Sequence, residues 1–368
     1  MPFVAHKPLP TLIQLAEQGH DVLSVDDASK QDIRELHVGI LNMMPDAALQ
    51  ATERQFIRLI GSCNRIVQFY VHLFSLPELD RNDQTQEYVD RYYSTFEQLS
   101  EEGLDALIIT GANVASPHLD EQPFWKPLTA VVEWAEDNVA SILCSCLATH
   151  ALVEHLHGIK REPLPAKRWG VYHHRLAELR HPLLRDINTR FDAPHSRHND
   201  VSKAQLEASG LTVLADGDES GVHLAVSRDQ IRVVYFQGHP EYDVNSLLKE
   251  YKREVRRFAQ GEIDAPPPYP ENYFEPRTAS LVDAFTQAVI EGADTTADGR
   301  RLEADLEARL HNTWGDTAKA IINNWLGLVY QLTNIDRKQQ FMSGVDPDDP
   351  LGLLANPTVR RNQRNPEE

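Results

Sequence analysis

The sequence is poor in cysteine, in positive charge and in long apolar runs, and each shortage removes a class of protein from consideration. Cys63, Cys144 and Cys146 are the only cysteines in 368 residues, too few and too odd in number for a disulfide scaffold, and they point to a reducing cytoplasm. The opening stretch MPFVAHKPLP lacks the charged and apolar regions of a secretory signal. Apolar runs are broken by Asn, Ser, Thr or His before the roughly 18–20 residues that a membrane helix needs, so no membrane span is expected. Lys and Arg number 36 against 55 Asp and Glu, and the resulting formal charge of −19 argues against nucleic acid as a partner. An anionic small ligand would then need a local positive field that the total charge does not advertise.

What remains is a chain with 41% hydrophobic residues, enough for a full core. Residues 36–44, 66–74 and 104–111 read as buried strands separated by helical or loop stretches, residues 124–138 as a helix, and residues 139–144 as a fourth strand. This rhythm predicts an α/β fold, a mostly parallel sheet flanked by helices, whose functional residues collect at the carboxyl ends of the strands. The second half reads as an antiparallel meander, with short strands at 170–174, 211–215, 221–226 and 231–237. A helix over 244–260, a Pro-rich connector over 265–274 and helices over 279–290 and 317–330, either side of an acidic insert, complete the pattern. The expected organisation is an N-terminal segment (1–34), a catalytic domain (35–264), a C-terminal helical extension packing on it (265–343) and a tail rich in Asp, Pro and Asn, largely disordered (344–368).

Cys146 lies where the fourth strand gives way to helix-forming sequence, the place where a tight turn exposes a nucleophile and the following N–H groups can stabilise a thiolate or an oxyanion. A lone cysteine is more often a small buried hydrophobe. The weight shifts with Gly238-His239-Pro240-Glu241, which ends the last strand: His239 supplies a base and Glu241 a group to orient it. Cys144, inside the apolar run, is expected to pack, and Cys-x-Cys lacks the second ligand pair of a zinc site. The 16 histidines match no helix-borne ligand spacing, so no metal is expected. Gly111 and Ala112, after the third strand, and Leu147, after the cysteine, are candidates for the oxyanion loop. Residues 193–197, containing Ser196 and Arg197, read as a short surface loop able to clamp a carboxylate, whereas Lys167 and Arg253 read by themselves as ordinary exposed cations.

Taken together, Leu41-Asn42-Met43-Met44-Pro45 with Thr52-Glu53-Arg54-Gln55-Phe56, Thr110-Gly111-Ala112, the cysteine stretch, Gly170-Val171-Tyr172, Ala193-Pro194-His195-Ser196-Arg197, Gly238 to Asp243, and Asn324-Trp325 with Tyr330-Gln331 resemble the homoserine O-succinyltransferase family. The resemblance spans about residues 10–336 and implies a flavodoxin-like, class I glutamine amidotransferase-like fold with N- and C-terminal extensions. It implies that Cys146 carries the acyl group as a thioester, that His239 is the base and Glu241 its partner, and that Lys167, Ser196 and Arg253 hold the substrate. It also implies succinyl-CoA as co-substrate with no separate cofactor, L-homoserine as acceptor, ping-pong kinetics and a homodimer. Ala115 falls on the family's donor-selecting position, where a small residue goes with succinyl and a glutamate with acetyl donors. The chain departs from the family in carrying Asp46-Ala47 after Pro45, where lysines are usual, and Cys144-Ser145 before the nucleophile.

Three other readings compete. An acetyl-CoA-dependent transferase would share every catalytic residue. A glutamine amidotransferase would use the same three groups on glutamine, but typically shows Gly-x-Cys-x-Gly, and here Ser145 and Leu147 flank the cysteine. A non-catalytic sensor on a degenerate fold is disfavoured by the intact Cys, His and Glu set.

Overall fold

A computed structural model describes residues 3–31, 33–63, 67–112, 114, 116 and 118–354. Among them, eleven strands form one sheet: β1 (Phe3–Val4), β2 (Val22–Leu23), β3 (Glu35–Leu41), β4 (Gln68–Phe74), β5 (Ala106–Ile109), β6 (Ser141–Ser145), β7 (Glu162–Leu176), β8 (Arg190–Asp200), β9 (Thr212–Gly217), β10 (Gly221–Val226) and β11 (Val233–Phe236). Their order is β2-β1-β4-β3-β5-β6-β11-β10-β9-β7-β8. The pairings from β2 through to β11 are parallel, and those from β11 to β8 are antiparallel.

The parallel half is buried on both faces, which is why its strands read as near-continuous apolar runs. Side chains alternate across β3 and β5. Leu36, Val38, Ile40, Ala106 and Ile108 enter one core, and Leu41, Leu107 and Ile109 enter the other. Helices α1 (Pro10–Glu17), α3 (Asp46–Gly61) and α12 (Gly315–Leu332) cover the first face, while α6 (Trp125–Asn138) and α7 (Leu147–His157) cover the second. The remaining helices are α2 (Val25–Ala28), α4 (Asp83–Tyr92), α5 (Phe96–Glu102), α8 (Lys203–Ala208), α9 (Ser246–Ala259), α10 (Ala279–Ile290) and α11 (Ala297–Glu307). A third core joins α9 and α10 to Trp169 and Val171 of β7.

Several features differ from the sequence expectation. The N-terminal segment adds strands β1 and β2 to the sheet, with Phe3 beside Phe69 and Val22. Two-residue strands carry too little pattern to be seen in a sequence. Residues 193–197 are not a surface loop but part of β8, paired with a 15-residue β7, where a short strand was expected. Pro194 obscured it, and a proline is tolerated there because β8 is the edge strand. The last strand of the supposed meander, β11, turns back to lie parallel to β6, which sets its carboxyl end beside the cysteine elbow. The acidic insert contains a helix, α11, capped by Thr296.

The C-terminal extension returns to the sheet. Buried Trp325 of α12 donates to Ser141 Oγ at 2.8 Å. Residues 344–354 continue as turns with Val345 and Leu351 packed against the main core, so the disorder expected from Gly344 does not begin there, and residues 355–368 lie outside the described residues.

Candidate active site

β6 ends at Ser145 and α7 begins at Leu147, leaving Cys146 alone on the turn with φ 53° and ψ −113°. A non-glycine residue held at positive φ costs on the order of 1–3 kcal/mol and persists only where its surroundings enforce it. Here they do: Cys146 N–H donates to Phe236 O at 2.7 Å, and Thr149 Oγ1, one turn into α7, donates to the same carbonyl at 2.7 Å. The end of β11 thus clamps the elbow.

That clamp also fixes the next turn. After Phe236 the chain runs through Gln237 and Gly238 to His239, whose N–H donates to Pro194 O at 2.8 Å. A Cβ on Gly238 would lie 2.6 Å from His223 Nδ1 and 2.8 Å from His195 Cε1, so only glycine fits. His239 Nδ1 meets Glu241 Oε1 at 2.8 Å, and the Tyr242 ring stacks on the imidazole at 4.1 Å. Ser145, singled out as a departure from the family pattern, donates weakly to both Glu241 oxygens at 3.4 and 3.5 Å. His239 Nε2 is buried and makes no hydrogen bond of full geometry among the described residues. It is the nitrogen left to serve the thiol.

The electrostatics agree with that assignment. Burial would raise the Cys146 pKa, but the charges of His239 and then Arg197 outweigh it and hold the thiol below its ordinary value. Burial would lower His239, yet the Cys146 thiolate and the Glu241 carboxylate hold it well above the ordinary histidine value. The pair therefore favours thiolate and imidazolium. Cys144, two residues away, is buried, donates to Val234 O at 3.4 Å, and has its thiol pushed up to about 12 by burial.

Gly111 packs against the elbow: a Cβ placed there would sit 3.4 Å from Cys146 Cβ and 3.7 Å from Leu147 N. Ala112 follows, half-buried, and Ala115 lies outside the described residues. At the end of β3, Met43 N–H donates to Thr110 Oγ1 at 2.9 Å, tying that loop to the Gly111 loop. Asp46, standing where lysine is usual, accepts Asn82 N–H at 2.9 Å, and the cation near it is Arg81, which donates to the carbonyls of Met44 and Asn42.

Lys167 and Ser196 are brought together by a residue that sequence reasoning missed. Glu250 of α9 accepts from Ser196 Oγ at 2.6 Å, from Lys167 Nζ at 3.1 Å and from Tyr242 OH at 2.6 Å. Burial would raise the Glu250 pKa, but Lys167 and these hydroxyls keep it below the usual carboxylate value. Lys167 Nζ also rests 4.2 Å from the Trp169 ring centroid. Arg253 does not join this group: half-exposed, it lies one turn past Glu250 and pairs with neighbouring Glu254. The helical i, i+3 relation of Glu250 to Arg253 was the available signal.

Arg197, read from the sequence as half of a carboxylate clamp on a surface loop, is instead buried in β8 and donates to Asp200 Oδ1 at 3.0 Å, to Ser220 O at 2.5 Å and to His195 Nδ1. Behind it, nitrogen atoms of His174, His195 and His223 lie within 4.8 Å of one another. These are metal-ligand types, but their bonds describe a chain of neutral rings. His195 Nδ1 accepts from Arg197, His195 Nε2 meets His174 Nε2 at 3.0 Å, and His174 Nδ1 meets Tyr172 O at 2.9 Å. Burial pushes His174 down to about 4 and holds His195 and His223 well below the ordinary histidine value.

The family model described as homoserine O-succinyltransferase matches residues 2–335. A protein of that name from Allochromatium vinosum is 57% identical over 356 residues, covering 96% of this chain and 100% of the relative. One from Methylococcus capsulatus is 55% identical over 354 residues, covering 96% and 100%. Among solved structures, a glutamine amidotransferase from Methylobacillus flagellatus matches with a TM-score of 0.43 and 12% identity, over 80% of this chain and 95% of that one, a likeness too distant to bear on activity.

Proposed function

The chain belongs to the homoserine O-succinyltransferase family and transfers a succinyl group from succinyl-CoA to homoserine in methionine biosynthesis, and we propose that it does so through a thioester on Cys146. The observation that carries this reading is the Cys146–His239–Glu241 set, a partly exposed thiol before a buried imidazole and carboxylate, in which the thiol is held low and the imidazole high. The thiolate attacks the thioester carbonyl of succinyl-CoA, and the oxyanion that forms is held by N–H groups at Leu147 and the Gly111–Ala112 loop. When the tetrahedral intermediate collapses, the bond to CoA sulfur breaks and His239 gives its proton to the leaving thiolate. Neutral His239 then takes the hydroxyl proton of homoserine as the oxygen attacks the thioester. Expulsion of the Cys146 thiolate restores the ion pair.

Homoserine brings an ammonium and a carboxylate. Half-buried Glu250 suits the ammonium and Lys167 the carboxylate, with Ser196 bonded to Glu250; Arg253, expected to hold the carboxylate as well, would have to leave Glu254 to reach it. The same proposal takes Ala115 as the donor-selecting position, requires no cofactor beyond the co-substrate, and assigns a cytoplasmic homodimer without nucleic-acid or membrane partners. No helix among the described residues is long and apolar enough to cross a membrane, and none of the three cysteines is paired.

Incubation with succinyl-CoA alone is expected to leave a succinyl adduct on Cys146, detected by intact and peptide mass spectrometry and absent from Cys146→Ser. Turnover without any such adduct in a quenched single-turnover experiment overturns the thioester mechanism in favour of direct transfer.

A further inference from the structure

The net charge of −19 sharpens a question that the thioester site leaves open: where a donor carrying a diphosphate and a 3′-phosphate finds positive potential. The pantetheine arm separates those phosphates from the reacting carbonyl, so their site must stand apart from Cys146. A cavity of ≈ 800 Å³ lies between α3, the turn after His239 and the amino ends of α9 and α12. Arg54, Arg58, Lys249 and Lys319 line it, with His20, against the carboxylates of Glu241 and Asp243. Both carboxylates are engaged, Asp243 with Arg58 and Glu241 with His239.

The cations crowd one another. Burial and then the nearby charge of Arg54 push Arg58 down, and the same two causes, in that order, lower Lys249, although Glu307 opposes the effect there. Like charges gathered in this way leave electrostatic energy for an anion to release. The helices add to the field: α9 and α12, of 14 and 18 residues, begin at Ser246 and Gly315, with Asn245 and Gly315 on the cavity wall, and neither N-cap side chain caps its helix, although Asn312 Oδ1 accepts the N–H groups of Trp314 and Gly315. Glu241 and Tyr242 border the cavity while touching His239, so a ligand there lies against the turn that presents the base.

We infer that this cavity binds the phosphates of a nucleotide ligand, and that the ligand is the phosphorylated adenosine end of the acyl donor. A free phosphorylated metabolite shares the chemistry. The assignment to the donor rests on succinyl-CoA being the substrate; the phosphate site does not.

The test uses the full chain with Arg54→Gln and Lys319→Gln combined, and with the single exposed change Lys319→Glu in case the pair impairs folding. Two quantities are read: affinity for adenosine 3′,5′-bisphosphate by calorimetry, and the KM for succinyl-CoA relative to that for S-succinyl-N-acetylcysteamine, which has no nucleotide. The bisphosphate is expected to bind the unmodified protein with strong salt dependence and about tenfold more weakly to the variants, with the KM ratio rising by a similar factor. Weaker bisphosphate binding with an unmoved KM ratio overturns the donor assignment and leaves a site for a free phosphorylated ligand. If neither quantity moves, the cavity is not a phosphate site. Bisphosphate binding needs no chemistry, so a failure of the Cys146 thioester reading shows separately, as loss of acylation by both donors in the unmodified protein.

Discussion

The two halves of the sheet present their functional groups in different ways. In the parallel half, every group sits just past the last residue of a strand: Gly111 after β5, Cys146 after β6 and His239 after β11. In the antiparallel half, Lys167, Ser196 and Arg197 lie within β7 and β8. Turn geometry aims the first set. Strand register aims the second, with Ser196 opposite Trp169 and Arg197 opposite Arg168. On the proposed mechanism, the parallel half holds the groups that make and break bonds, and the antiparallel half, completed by Glu250 of α9, holds those suited to gripping the acceptor.

The largest test of this division is Glu241→Gln. Replacing the carboxylate that orients the base is expected to lower kcat by about 10²–10⁴-fold with little change in the KM for homoserine. The pH profile should change with it. Acylation needs thiolate and imidazolium, so activity falls as pH drops through the lowered Cys146 pKa and as pH rises through the raised His239 pKa. Because Glu241 helps hold His239 high, the alkaline limb should move to lower pH in the variant; an alkaline limb that stays in place assigns it to another group.

Glu250→Gln probes the antiparallel side. It removes a half-buried charge that accepts from Lys167, Ser196 and Tyr242, and the KM for homoserine is expected to rise about 10–100-fold, with a smaller effect on the yield of Cys146 thioester from succinyl-CoA. A variant that loses acylation as completely as it loses homoserine would place Glu250 with the bond-making groups and break the comparison.

The smallest effect belongs to the loop after β5. Ala115→Glu is expected to shift the ratio of kcat/KM for acetyl-CoA over succinyl-CoA upward by roughly tenfold, because a carboxylate there repels the second carboxylate of succinate. Unchanged donor preference means that selectivity lies elsewhere.

The legible part of the site was the part written in short stretches. An apolar run, a cysteine and a helix-forming sequence announce an elbow, and Gly238-His239-Pro240-Glu241 announces a turn bearing a base and its partner. The edge pair β7–β8 was obscured by Pro194 and by the mixed polarity of β8, and the misreading of residues 193–197 as a loop hid the depth at which Arg197 is buried. Glu250 looked like one more charge on a helix whose exposed face is full of them.

By itself, the sequence determined the alternating elements of the parallel half, the separate fates of Cys144 and Cys146, and the base with its orienting partner, because each depends on neighbours a few positions away. Only the tertiary structure decided that Glu250 meets Ser196, 54 positions distant, and Lys167, 83 positions distant, or that Arg197 lends its charge to the thiolate. Such meetings depend on strand register and helix placement, which the whole core sets at once. The same holds for charge: a total of −19 is read by counting, whereas the gathering of Arg54, Arg58, Lys249 and Lys319 around one cavity exists only once α3, α9 and α12 have packed.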